Sequence, residues 1–128
     1  MKSRYIPLSA RKKANKRRPR SGLEKAFYTL LDELGINYKK EYKISRLHVD
    51  IFIQPNLVIE LSGCFWHKCS CLKPKGGWKP SDLVVKERDK RRYAFLESKG
   101  FIVREIWECE MKEIKKVSKK VLSWIKDL

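Results

Sequence analysis

Acidic residues are scarce in this 128-residue chain: 15 Asp and Glu stand against 31 Lys and Arg, a formal net charge of +16. That imbalance excludes a surface that repels polyanions, and phosphate neutralisation with counterion release is the usual reason for one so cationic. A solubility device and a ribosome-like passenger are the competing readings, and charge alone does not separate DNA from RNA. No apolar run approaches the roughly 20 residues of a membrane span, so no membrane partner is expected. No apolar stretch follows the basic N-terminus, so a secretory signal is not expected either. The anticipated setting is intracellular, in the cytoplasm or with the nucleoid or nucleus. Internal repeats are missing, and the length suits one domain with one core. Oligomeric state is left open, with a monomer the simpler expectation.

What the chain does have begins with an arm. Residues 1–20 form the basic N-terminal segment, and Arg11–Arg20 holds seven basic residues in ten: Arg11, Lys12, Lys13, Lys16, Arg17, Arg18 and Arg20. Nothing there offsets its own ordering entropy, so the segment reads as a phosphate-binding arm, or as a nuclear-localisation signal. A folded domain is expected over residues 21–128. Ser21-Gly22-Leu23-Glu24 is a capping box, followed by Phe27, Leu30, Leu31 and Leu34 at helical spacing and by Gly35 as a stop. Residues 38–44 and 48–53 read as strands. Residues 57–61 follow as a third strand after the turn Gln54-Pro55-Asn56. The stretch 63–79, rich in Cys, Gly, Pro and Lys, is predicted to be an irregular loop. Ser81 is the expected cap of a helix running to Gly100, and residues 101–107 alternate as a fourth strand. A last helix carries Met111, Ile114, Val117, Val121, Trp124 and Leu128 on one stripe. The order predicts an α/β domain: a central mixed four-stranded sheet flanked by helices.

The short turn makes the second and third strands an antiparallel hairpin, and counting outward brings Asp50 opposite Glu60. Their Cβ atoms would lie roughly 5 Å apart. Two like charges that close are destabilising unless a cation sits between them. Hard divalent ions such as Mg²⁺ take carboxylate and carbonyl oxygens, here Asp50, Glu60 and a carbonyl near Leu61, and act as Lewis acids toward phosphate. The bland alternative points one carboxylate to solvent, although Glu60 interrupts an apolar run. Asp89 lies on the apolar stripe Val85, Tyr93, Leu96, and needs either a structural arginine or a catalytic partner. Glu24 has a ready structural role as the third residue of the capping box.

Cysteines Cys64, Cys69 and Cys71 fall within eight residues, and Cys109 follows the last strand. Four thiolates suit tetrahedral zinc in a closed structural site; two disulfides are the alternative. Histidines number only two. With four thiols present zinc does not need His67, which leaves it for acid–base work near phosphate; His48 reads as a surface or phosphate contact. Phe65 and Trp66 are large apolar neighbours in a polar loop, either covering core or zinc, or acting as a wedge between base steps.

Taken together, Gly63-Cys64-Phe65-Trp66-His67, Glu87-Arg88-Asp89 and Trp107-Glu108-Cys109 resemble the very-short-patch-repair endonucleases, mismatch-nicking relatives of the PD-(D/E)XK restriction fold, and a homing-endonuclease group with the same active-site pattern. The resemblance covers residues 21–128. It implies a PD-(D/E)XK-like fold with a structural zinc site and a Mg²⁺-dependent DNA endonuclease acting on double-stranded DNA. In this reading Asp50 binds Mg²⁺, His67 acts on the attacking water, Glu24 helps order water, and Asp89 fills the later acidic position. It likewise implies that Phe65 and Trp66 insert into DNA and that Cys64, Cys71 and Cys109 are zinc ligands. Cys69 stands where the repair enzymes have histidine. Ser62 occupies both the place of a histidine near the scissile phosphate and the place of the lysine of the wider pattern. Glu60 restores a carboxylate unusual for this branch. These departures separate phosphodiester cleavage from thymine–guanine mismatch specificity. A non-catalytic zinc-stapled DNA-binding module and a mobile-element nuclease are the alternative functions.

Overall fold

The computed structural model describes residues 22–128. The basic arm and Ser21, the expected first cap, lie outside the described residues.

Helix α1 spans Gly22–Glu33. Its apolar residues recur every three to four positions, and Phe27, Tyr28, Leu30 and Leu31 are all buried. Gly35 ends it in the left-handed region at φ 71°, a conformation open to glycine at no steric cost. Strands β1 (Lys39–Ile44), β2 (Leu47–Ile53) and β3 (Leu57–Ser62) follow as an antiparallel meander. A single-turn helix α2 covers Cys64–His67, and a short 3-10 turn covers Ser70–Leu72. Helix α3 (Pro80–Ser98) then crosses over to β4 (Ile102–Trp107), which lies parallel to β3. A 3-10 turn over Glu108–Lys112 leads into α4 (Ile114–Lys126). The sheet order is β1-β2-β3-β4.

The sheet is buried on both faces, which explains why every residue of β3 is inaccessible. On one face Ile51, Ile53, Leu57, Ile59, Leu61 and Ile106 pack against α1 and against Val117 and Val121 of α4. On the other, Val49, Phe52, Val58 and Val103 pack against Leu96 of α3. The mixed four-stranded sheet between helices is therefore as expected.

Several local readings need correction. Helix α3 starts one residue before Ser81: Pro80 takes the first helical position, where a missing N–H costs nothing, and the Asp82 carboxylate accepts the Lys79 backbone N–H at 3.2 Å. The loop over residues 63–79 is not wholly irregular, since it holds α2 and the 3-10 turn. The last stripe is shorter than predicted: Met111 lies in the 3-10 turn before α4 and Leu128 beyond its end, Ile114 and Leu128 are exposed, and Ile125 joins Trp124 against the core.

Candidate active site and thiolate cluster

The β2–β3 ladder pairs Ile51 with Ile59 through Ile53 with Leu57. One step beyond it, side chains replace carbonyls as acceptors. Glu60 Oε2 accepts the Asp50 N–H at 3.0 Å, and Asp50 Oδ2 accepts the Leu61 N–H at 2.8 Å. The two carboxylates thus reach across the hairpin toward each other, in the pairing anticipated from the turn. Both line one cleft of about 580 Å³ with Glu24, Ser62, His67, Asp89, Arg92 and Tyr93. Burial, then the charge of Glu60, pushes the Asp50 carboxyl up to about 7; Glu24 adds to the rise, while the Leu61 N–H and Arg92 oppose it. A group in this environment gains from a cation.

The opposite wall comes from α2 and α3. His67 Nδ1 lies 2.8 Å from Asp89 Oδ2. A carboxylate only accepts, so Nδ1 is the donor in this contact, which does not use Nε2. The inward Asp89 therefore has a histidine as its partner, not a structural arginine. Glu24, in the first turn of α1, completes the acidic lining.

Three residues at or beside this cleft were given no site role by the sequence reading: Arg92 and Tyr93 line it, and Glu105 stands next to Tyr93. Arg92 Nε donates to Glu60 Oε1 at 2.7 Å and Arg92 Nη2 to the His48 carbonyl at 2.5 Å. Glu105 Oε2 accepts from both the Ser62 hydroxyl and the Tyr93 hydroxyl, each at 2.6 Å. Burial and the Glu105 carboxylate keep the Tyr93 phenol protonated well above its ordinary range. Signals for two of them existed: Arg92 follows Asp89 by three residues on the same helix face, and Glu105 alternates with Val103 and Trp107 on the inward side of β4. Ser62 is fully buried, and its hydroxyl is committed to Glu105. His48 reaches the site only through its main-chain carbonyl.

The parallel register of β3 and β4 pairs Ser62 with Trp107. Two residues on, it brings Cys64 beside Cys109, and the Cys64 N–H donates to Glu108 Oε1 at 3.1 Å. Cys69 and Cys71 return to the same spot after α2. All four Sγ atoms lie within 4.8 Å of one another, with Cys69 and Cys109 at 3.7 Å, and no disulfide forms. Ligands about 2.3 Å from a tetrahedral zinc sit roughly 3.8 Å apart, so the spacing suits that ion. Hydrogen bonds sort the thiols. The Cys69 thiol is lowered, because the Cys71 N–H and its thiol neighbours outweigh its burial, while the bond to Cys69 pushes Cys71 up to about 12.

Helix α2 turns Phe65 and Trp66 outward, 62% and 73% exposed. Their rings meet edge to face at 5.1 Å, and Lys68 lies over Phe65. Neither residue is among those packed against the core.

No family model matches the chain. Among curated proteins, the type II nicking enzyme V.XorIIP of Xanthomonas oryzae pv. oryzae is 33% identical over 98 residues, which span 71% of this chain and 72% of that protein. The chain belongs to the family of the type II nicking enzymes. Two further members are V.NmeAIP of Neisseria meningitidis, 35% identical over 61% of each chain, and V.NaeI of Lentzea aerocolonigenes, 29% identical over 81% of this chain and 71% of that one. The fold of this nicking-enzyme relative also matches the catalytic domain of the homing endonuclease I-Bth0305I. The TM-score is 0.61 and the identity 24%, over 84% of this chain and 97% of that domain.

Proposed function

We propose that this protein is a divalent-metal-dependent DNA endonuclease of PD-(D/E)XK type that hydrolyses phosphodiester bonds in double-stranded DNA. The observation that carries the reading is the facing of two side-chain pairs across one cleft: Asp50 with Glu60, and His67 with Asp89. The naming of its relatives as nicking enzymes supports the reaction class. Asp50 and Glu60 are the residues that would hold Mg²⁺. The raised Asp50 carboxyl fits that role, because a bound cation favours the ionised form. When bound, the ion supplies Lewis-acid stabilisation of charge on the scissile phosphate. Asp89 fixes the tautomer of His67, whose Nε2 orients water and takes its proton. Glu24 assists from the edge of the cleft.

The thiol cluster Cys64, Cys69, Cys71 and Cys109 would hold a structural zinc that keeps α2 against the end of β4. Phe65 and Trp66, exposed beside the cleft, insert between base steps. The basic residues 1–20, outside the described residues, clamp the DNA backbone as an arm, and residues 21–128 form the catalytic body. No helix among the described residues is long and apolar enough to cross a membrane. The substitution of Ser62 for a histidine leaves the cleft open to targets other than the thymine–guanine mismatch.

A Mg²⁺-titrated nicking assay on supercoiled plasmid tests the reading. Cleavage by the natural chain, abolished in Asp50→Ala with DNA binding retained, is the expected result. Binding without cleavage across metals and substrates would favour a zinc-stapled binding module instead.

A further inference from the structure

The cleft is rich in negative charge before any substrate arrives, since Glu24, Asp50, Glu60 and Asp89 all line it. A phosphodiester adds one charge and redistributes it toward its oxygens as the bond breaks. Fixed cationic donors at that point lower the barrier. Ser62 offers no charge, and its hydroxyl is already given to Glu105. The cations at the cleft wall are Arg88 and Arg92, and of these Arg92 is the one held in place.

Two contacts hold it: Nε on Glu60 Oε1 at 2.7 Å, and Nη2 on the His48 carbonyl at 2.5 Å. They come from different groups and fix the plane of the guanidinium. A guanidinium carries five N–H donors in a rigid fork. Two are used, and the other three have no partner among the described residues. The Glu60 carboxylate that receives Nε is buried and also holds the Asp50 N–H. Arg92 thus stands next to the residues that would bind the metal.

We propose that Arg92 is a catalytic residue, a guanidinium braced by Glu60 and the His48 carbonyl that gives its remaining N–H groups to the scissile phosphate. The proposal rests on reading the cleft as a phosphodiester hydrolase. Arg92 lies three residues after Asp89, so one face of α3 holds both the partner of His67 and the phosphate contact. Lysine is a poor substitute, because an ammonium has no fixed plane and, with two acceptors bridged, keeps one N–H against the guanidinium's three.

The competing role for Arg92 is to neutralise a buried Glu60 and nothing more. A double-variant cycle on the full chain with its zinc separates the two, reading kcat for plasmid nicking in Mg²⁺ and Tm for each variant. Arg92→Ala is expected to lose about 100-fold or more in kcat. Glu60→Gln/Arg92→Ala is expected to recover the lost Tm while cleaving at least about 10-fold more slowly than Glu60→Gln. Added guanidinium ion restores part of the Arg92→Ala rate and leaves Asp50→Ala silent. A double variant as fast as Glu60→Gln overturns the proposal, as does Arg92→Ala with near-natural kcat. Should Glu60→Gln itself be silent, absence of guanidinium rescue in Arg92→Ala overturns it. Should Arg92→Ala not fold, Arg92→Lys decides, and an undiminished rate there refutes the assignment. A natural chain that never nicks defeats the endonuclease reading itself, a result distinct from active enzyme with an indifferent Arg92.

Discussion

Asp50 makes the apoprotein's stability run the unusual way with pH. Its carboxyl rises from an ordinary 3.8 to about 7 in the fold, through burial first and the charge of Glu60 second. Between those values the folded chain binds more protons at this site than the unfolded chain, so stability falls as pH rises through the window. The loss is complete above pH 7, and below pH 4 it vanishes. Each tenfold change in proton affinity is worth about 1.4 kcal/mol, so the full rise costs on the order of 4 kcal/mol once Asp50 ionises. Replacing Asp50 by Asn removes the charge and keeps an oxygen for the Leu61 N–H. Tm of Asp50→Asn minus Tm of the natural chain is therefore expected to grow between pH 4.5 and 8, by on the order of 10 °C for a domain of this size. Melting is followed by circular dichroism with zinc retained and magnesium omitted. Adding Mg²⁺ at pH 8 is expected to raise Tm of the natural chain and to leave Asp50→Asn nearly unmoved. A difference that stays flat with pH would show that Asp50 ionises as freely as in water, and the account of this cleft as a preformed cation site would fail with it.

Asp89→Asn leaves a hydrogen bond to His67 but no longer requires the proton on Nδ1; kcat for nicking is expected to fall about 100-fold or more while Tm barely changes, and a rate within threefold of the natural chain would detach the pair from the reaction. Trp66→Ala removes an exposed ring, so stability is expected to move by less than about 0.5 kcal/mol, while DNA affinity or cleavage drops roughly tenfold through lost stacking; equal binding by both proteins in a fluorescence titration would remove the aromatics from the interface. Chelation of zinc, or Cys109→Ser, is expected to lower Tm by roughly 10 °C or more, since closure of the thiol cluster is folding energy; one equivalent of metal by elemental analysis is the companion result, and a metal-free preparation with unchanged Tm would refute it. Ser62→Ala and Tyr93→Phe each cost about 1 kcal/mol, and the pair together costs more than the sum of the two, because Glu105 Oε2 then loses both its donors; chemical denaturation of the four proteins measures the excess.

Element order, the hairpin and the pairing of Asp50 with Glu60 were legible because local rules governed them. A three-residue turn sets the register, and the period of two carries it outward to the carboxylates. The convergence of Cys64 and Cys109 was only half visible: their suitability as metal ligands could be read, but the reason they meet is the parallel pairing of β3 with β4, a contact 45 residues apart in the chain. Arg92 and Glu105 stayed hidden for the same cause. Their contacts to Glu60, His48 and Ser62 span 32 to 44 positions; local spacing marks the face each one occupies but does not name a partner across a crossover. Helix α3 buries Leu96 of its stripe, while Leu83 and Val84, off that stripe, face solvent. The single turn Cys64–His67 was unreadable among Gly, Pro and Lys, since four residues are too few to show a period; they are held by the thiols around them, not by helix propensity.

That single turn has a mechanical consequence. Cys64 is moored to the thiol cluster, Phe65 and Trp66 project from the middle, and His67 ends it with its ring on Asp89. Between these groups the backbone hydrogen bonds from His67 to Gly63 and from Cys69 to Cys64 close the turn, each at 3.0 Å. A push on the two aromatic rings is therefore a push on the imidazole, with the sulfur end as fulcrum. In the proposed function, gripping DNA and setting the base would then share one short segment, and inserting a residue between Trp66 and His67 is expected to uncouple them.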